Sequence, residues 1–163
     1  MSLLIRDEEL SDRDEIRRLV TASFGGEEEA ELIDRLRIEG ASELSLVAVA
    51  DGRLVGQALF SRIRAPFRAL GLAPISVLPA LQRSGIGSSL IRVGLARTAA
   101  AGWQVIFVVG DPAFYGRFGF DAALASGFPS PYAGPHFMAM SPIGRPPVTG
   151  GSVEYPDAFA ALS

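Results

Sequence analysis

The chain has 163 residues, 48% of them hydrophobic and 20% charged, which suits one globular domain over residues 1–163 and excludes wholesale disorder or a fibrous repeat. It has no cysteine, all 15 basic residues are arginine, and His136 is the one histidine. That closes thiolate nucleophiles, metal–thiolate centres, a Walker-type lysine, a pyridoxal anchor and paired-histidine zinc sites. The net charge of −3 divides into −8 over residues 1–51 and +5 over residues 52–163, so an anionic ligand is expected on the later part.

Leu3 to Arg6 reads as a first strand, and Ser11-Asp12-Arg13-Asp14 as a capping-type helix start. In that helix Ile16, Leu19, Val20 and Phe24 recur at helical spacing up to a stop at Gly25-Gly26. Glu27 to Ile38 predicts a second helix, with Leu32, Ile33 and Leu36 as its buried stripe and acids at the positive end of its dipole. Leu44 to Ala50 and Arg53 to Ile63 predict a hairpin across Asp51-Gly52, a preferred pair for the type I′ turn. Leu70 to Val77 predicts the next strand, and Gly85 opens a helix that runs to a stop at Gly102.

Val105 to Val109 is wholly apolar and rich in β-branched residues, as a strand buried on both faces requires. Asp111-Pro112 starts a short helix carrying Phe114 and Tyr115, and Phe120 is expected to begin a further strand. Six prolines between 129 and 147 predict loop, interrupted by a strand at Phe137 to Met140. The order gives an α+β (mixed α/β) fold with a mostly antiparallel sheet, in which strand 70–77, helix 85–101 and strand 104–109 form a parallel right-handed crossover. No apolar run is long enough to cross a bilayer and the N-terminus has no signal-peptide pattern, so a cytoplasmic protein with no membrane partner is expected. A sequence pI near 5.2 and the lack of an arginine cluster argue against nucleic acid.

Chemistry concentrates in Gln82-Arg83-Ser84-Gly85-Ile86-Gly87-Ser88-Ser89, placed after a strand and opening a helix. Helix N-terminal N–H groups with glycines beside them make an anion site, and Ser88 and Ser89 add hydroxyl donors. The dinucleotide fingerprint G-x-G-x-x-G fits badly, because Leu90 stands at the third glycine and no acid follows about 20 residues on.

Gln82-Arg83-Ser84-Gly85-Ile86-Gly87 resembles the acetyl-CoA signature Q/R-x-x-G-x-G/A of the GNAT superfamily of N-acetyltransferases. Ile75-Ser76-Val77-Leu78-Pro79 looks like the exit of that family's fourth strand, and Asp111 to Phe120 looks like its F-Y-x-x-x-G-F element. The tail from Gly151 onward is similar to that of a bacterial subgroup. The resemblance implies a sheet whose fourth and fifth strands splay, with the pantetheine arm of acetyl-CoA between them as an added strand. Carried over, Val77 and Leu78 offer backbone groups to pantetheine, while Arg83, Ser84, Gly85, Ile86, Gly87 and Ser88 surround the pyrophosphate. The implied reaction is direct acetyl transfer to a primary amine of a small molecule or peptide; a non-catalytic acyl-CoA sensor is the other reading.

Making a neutral amine at pH 7 from an ammonium of pKa ~10.4 costs roughly 4.6 kcal/mol, and a departing thiolate needs a proton or a strong hydrogen bond. Tyr115 is the donor by its motif position, unless it only packs the short helix. For a base, Leu70 to Val77 carries no carboxylate. Asp111 holds either a water or its own turn, His136 is expected at the surface, and Glu28 and Glu29 are either cation-binding or a solvated helix start. A water chain without a dedicated base is the default expectation. A homodimer is the commonest expectation for assembly.

Overall fold

The computed structural model describes residues 2–147 and 149–161. One six-stranded sheet runs in the order β1 (Leu3–Asp7), β2 (Ser42–Ala50), β3 (Arg53–Ile63), β4 (Ala69–Val77), β5 (Val105–Val109) and β6 (Phe137–Met140). All neighbours are antiparallel except β4 and β5, which are parallel. The hairpin turns as expected: Asp51 and Gly52 have φ of 52° and 76°, the left-handed pair of a type I′ turn.

Helices cover both faces. On one, α1 (Arg13–Phe24) and α2 (Glu28–Ile38) bury Ile16, Val20, Leu32, Ile33 and Leu36 against Val47, Leu54 and Leu59. On the other, α3 (Ile86–Ala100) lays Ile86, Leu90 and Ile91 over Phe60, Leu70, Leu72, Ile106 and Val108. The α3 contact is close at Gly94, where a Cβ would stand 2.4 Å from Phe60 Cζ. Phe60 is fully buried and has no room to swing away. Overpacking of this kind costs about 1–3 kcal/mol, and the better helix propensity of alanine returns about 1 kcal/mol. Gly94→Ala is therefore expected to lose about 1 kcal/mol, read as a lower urea midpoint at unchanged slope.

Two local expectations are corrected. Asp12 does not cap α1 through its side chain; its carboxylate accepts from Glu9 N at 2.6 Å and pairs with Arg6 at 2.7 Å. Those charge-assisted bonds to Arg6 hold the Asp12 carboxyl below its ordinary range. Phe120 does not begin a strand: after a single bridge between Asp121 and Ala139, α5 (Ala122–Ala125) follows. Asp121 Oδ1 accepts from Ala123 N at 2.8 Å, so a capping acid followed by Ala-Ala-Leu-Ala starts a helical turn where the strand reading needed extended backbone. Among the described residues, no helix is long and apolar enough to cross a membrane.

Candidate active site

Strands β4 and β5 pair at only three positions, Ala69 with Val105, Leu70 with Ile106 and Gly71 with Phe107. Beyond Gly71 the two strands have no ladder between them, and β4 continues to Val77 along an open fork. Backbone direction along that edge follows from the β3 register. Leu78 N donates to Val55 O at 2.9 Å, and Gly56, Gln57 and Ala58 oppose Val77, Ser76 and Ile75. Antiparallel alternation then turns the N–H and C=O of Val77 and Ile75 toward the fork. Val77, one of the expected site residues, therefore lies with its backbone toward the fork, as does Ile75, which shares its parity. Leu78, also expected there, has its N–H bonded to Val55 O, and its carbonyl accepts from Leu81 N at 2.8 Å.

At the mouth of the fork stands the α3 N-terminus. The first helical bond runs from Ser89 N to Gly85 O, leaving the N–H groups of Ile86, Gly87 and Ser88 without helical acceptors. Gly85 has φ of 90°, and Arg83 holds the same left-handed region at 65°. The loop is thus bent so that successive backbone groups converge on a hollow. A cavity of about 420 Å³ fills it, walled by Val77, Arg83, Gly85, Gly87 and Ser88 from the expected set. Ser84 and Ile86 stand outside it: the Ser84 hydroxyl donates to Leu81 O and the Ile86 side chain is core.

Gln82, Phe114 and Arg117 also line this cavity. Gln82 Nε2 donates to Val77 O at 3.2 Å, and Arg117 Nη2 donates to Ser88 Oγ at 3.4 Å while its guanidinium lies 4.9 Å from the Phe114 ring centre. Sequence reasoning missed Arg117 although it sits inside the second motif; its signal is an arginine between two aromatics. Among the described residues, the wall of the cavity has two arginines and no carboxylate.

Tyr115 is placed at the C-terminal end of β5 rather than on that cavity. Its ring covers Gly110, where an added Cβ would fall 2.3 Å from Tyr115 Cε2, and it meets Phe114 and Phe120 edge-on at 4.9 and 5.9 Å. The ring is buried, yet the hydroxyl bonds to no described residue and is not among the enclosed unpartnered atoms. Burial pushes its pKa up, so it stays protonated at neutral pH and suits hydrogen-bond donation better than full proton transfer.

None of the base candidates gains a clear role. Asp111 Oδ1 accepts from Ala113 N at 2.9 Å and so caps α4 (Pro112–Tyr115). His136 Nδ1 donates to Gly110 O at 3.0 Å at an exposed position. Glu28 is exposed in the first turn of α2, and Glu29 is partly so. No cluster of metal-ligating side chains occurs among the described residues.

A family model described as an acetyltransferase (GNAT) domain matches residues 5–123. The chain belongs to the GNAT acetyltransferase family. It is 33% identical to the uncharacterised N-acetyltransferase YjhQ of Escherichia coli K12, over 94% of this chain and 93% of that protein. In structure it resembles the GNAT acetyltransferase YhbS of Escherichia coli, solved with CoA, at a TM-score of 0.89 and 29% identity, covering 99% of this chain and 93% of that one. A GNAT acetyltransferase of Brucella melitensis, solved with acetyl-CoA, aligns at 0.83 with 36% identity over 97% of this chain and 98% of that one. As a GNAT protein the chain is an acyltransferase, and its mixed sheet with one parallel pair is the family's fold.

Proposed function

We propose that this GNAT chain acts as a single domain that transfers the acetyl group of acetyl-CoA to a primary amine of a small molecule or peptide in one ternary complex. The observation that carries this is the fork beyond Gly71, leading to an N–H-rich, carboxylate-free hollow at the α3 N-terminus. The fork suits an extended arm that takes backbone bonds from Ile75 and Val77; the hollow suits a pyrophosphate bonded by Ile86, Gly87 and Ser88 N–H and faced by Arg83 and Arg117. Acetyl-CoA supplies an activated thioester. The ammonium first gives one proton to water; the neutral amine nitrogen then attacks the thioester carbon, the C–S bond breaks with its electron pair on sulfur, the nitrogen gives its second proton to water, and the thiolate takes one proton back from water. Tyr115 donates a hydrogen bond to the sulfur as charge develops there, an interaction that strengthens only in the transition state.

Neither His136 nor Asp111 is assigned as base, and the proton leaves through water. The proposal places the protein in the cytoplasm without nucleic-acid or membrane partners, and a homodimer is its expected assembly. The test is calorimetric titration with acetyl-CoA followed by thiol release with a panel of primary amines. Binding with amine-dependent release supports the enzyme; binding with no release under any amine or water supports a sensor. Absence of binding by folded protein overturns the proposal.

A further inference from the structure

The face of β4 opposite α3 carries a tyrosine that the reaction above does not use. Side chains alternate along β4: Leu70 and Leu72 belong to the α3 core, while Ala69 and Ala73 pack toward the α1, α2 and tail side. Gly71 shares their parity. It is also the last β4 residue paired with β5, so it marks the base of the fork. A Cβ built there would lie 3.2 Å from Tyr155 Cε2 and 3.0 Å from Ile63 Cδ1. The C-terminal tail thus lays an aromatic ring over the base of the fork, where β4 offers no side chain of its own and no carboxylate.

The ring is fixed by aromatic neighbours, meeting Tyr132 edge-on at 4.9 Å and Phe159 at 5.2 Å. The tail itself is held by the Arg64 and Glu154 bridge, whose N–H to O distances are 2.9 and 2.8 Å. The Tyr155 hydroxyl bonds to no described residue and is not among the enclosed unpartnered atoms. Burial keeps it protonated far above neutral pH. Tyr155 also walls a second cavity of about 510 Å³, which has Glu39, Glu154 and Asp157 on its surface. Its two arginines are both paired with carboxylates: Arg62 lies 3.7 Å from Glu43, and Arg64 lies 3.6 Å from Glu154. Asp157 has no cation within 4.0 Å among the described residues, so the surplus charge there is negative.

We infer that Tyr155 is a positioning residue for the acceptor, its hydroxyl accepting a hydrogen bond from a cationic amine that enters through this cavity and holds its nitrogen at the base of the fork. The inference rests on the acetyltransferase reading above. One residue therefore touches both the fork and the cavity, and as a permanently neutral group it orients the amine without being the base. A cation gains from Asp157 and Glu39, whereas an amine with an adjacent carboxylate is repelled by them.

The chain has three tyrosines, so 3-fluorotyrosine labelling gives three fluorine signals, assignable by Tyr→Phe substitution at each site. The probes are CoA alone and then 1,4-diaminobutane added to the CoA complex. CoA is expected to move the Tyr115 signal, and 1,4-diaminobutane to move those of Tyr155 and Tyr132 while leaving Tyr115 in place. Tyr155→Phe keeps the ring packing, and is expected to weaken the diamine about tenfold, the scale of one hydrogen bond. In turnover the same variant raises KM for the diamine with kcat and CoA affinity unchanged within about twofold. Tyr155 still under saturating diamine while Tyr115 responds to CoA, or Tyr155→Phe with unchanged diamine affinity, overturns the inference. A Tyr115 signal indifferent to CoA overturns the cofactor reading itself, and this inference with it.

Discussion

Gly87→Glu is expected to abolish acetyl-CoA binding, with a loss of at least about 100-fold, or about 2.7 kcal/mol, while leaving the protein as stable as before or slightly more so. The two effects have opposite signs for one reason. A Cβ at position 87 meets Val77 Cγ2 at 3.8 Å and Phe114 Cζ at 4.0 Å, which is ordinary contact, so the backbone need not shift. A carboxylate in the first turn of α3 then satisfies N–H groups that have no helical acceptor and lies favourably in the helix dipole. Those same groups are what a pyrophosphate needs, and the introduced anion both fills the hollow and repels it. Calorimetry with acetyl-CoA beside a thermal melt reads both signs. A variant that binds acetyl-CoA normally overturns the placement of the cofactor on this helix terminus, and one that fails to fold is replaced by Gly87→Ala, for which the steric term alone remains.

Tyr115→Phe is expected to lower kcat by about 10- to 100-fold while changing acetyl-CoA affinity by less than about twofold. The hydroxyl has no bonding partner among the described residues, so its removal leaves no orphaned group and stability should hold. A purely structural role predicts the same stability and full turnover, which makes kcat the deciding quantity. The pH profile gives a second reading. A donor must be protonated to act, and burial raises the Tyr115 pKa above its ordinary 10. The donating form therefore persists to higher pH than in a free tyrosine, and any alkaline limb due to this group lies above pH 10 and vanishes in the phenylalanine variant.

The parts legible from sequence are those fixed by local chemistry. The Asp51-Gly52 pair demanded left-handed backbone and found it; Val105 to Val109, apolar throughout, could only be an interior strand; the glycines around Ile86 marked a helix start open to an anion. Errors arose where two local signals competed. At Phe120 an aromatic suggested a strand, yet the capping acid beside it and the alanines after it prevailed. At Leu78 the motif pointed to the fork, whereas strand alternation, which a motif does not display, turns its N–H to Val55. Tyr155 was out of reach for a different reason. Its importance comes from lying on Gly71, a contact between residues far apart in the chain that no periodicity encodes.

The three rungs that join β4 to β5 carry a mechanical meaning as well as a chemical one. The sheet is in effect two ribbons, β1 to β4 and β5 with β6, sewn together at one end by Ala69, Leu70 and Gly71. Below the seam the ribbons share a core; above it each has a backbone edge with no strand beside it, and Val109 stands 48% exposed at the open end. An extended ligand laid into that gap acts as a zipper, converting two edges into rungs and the two ribbons into one cooperative sheet. The amides along the upper halves of β4 and β5 should then be the ones whose hydrogen exchange slows most when the gap is filled, so that the molecule reports its own occupancy through its rigidity.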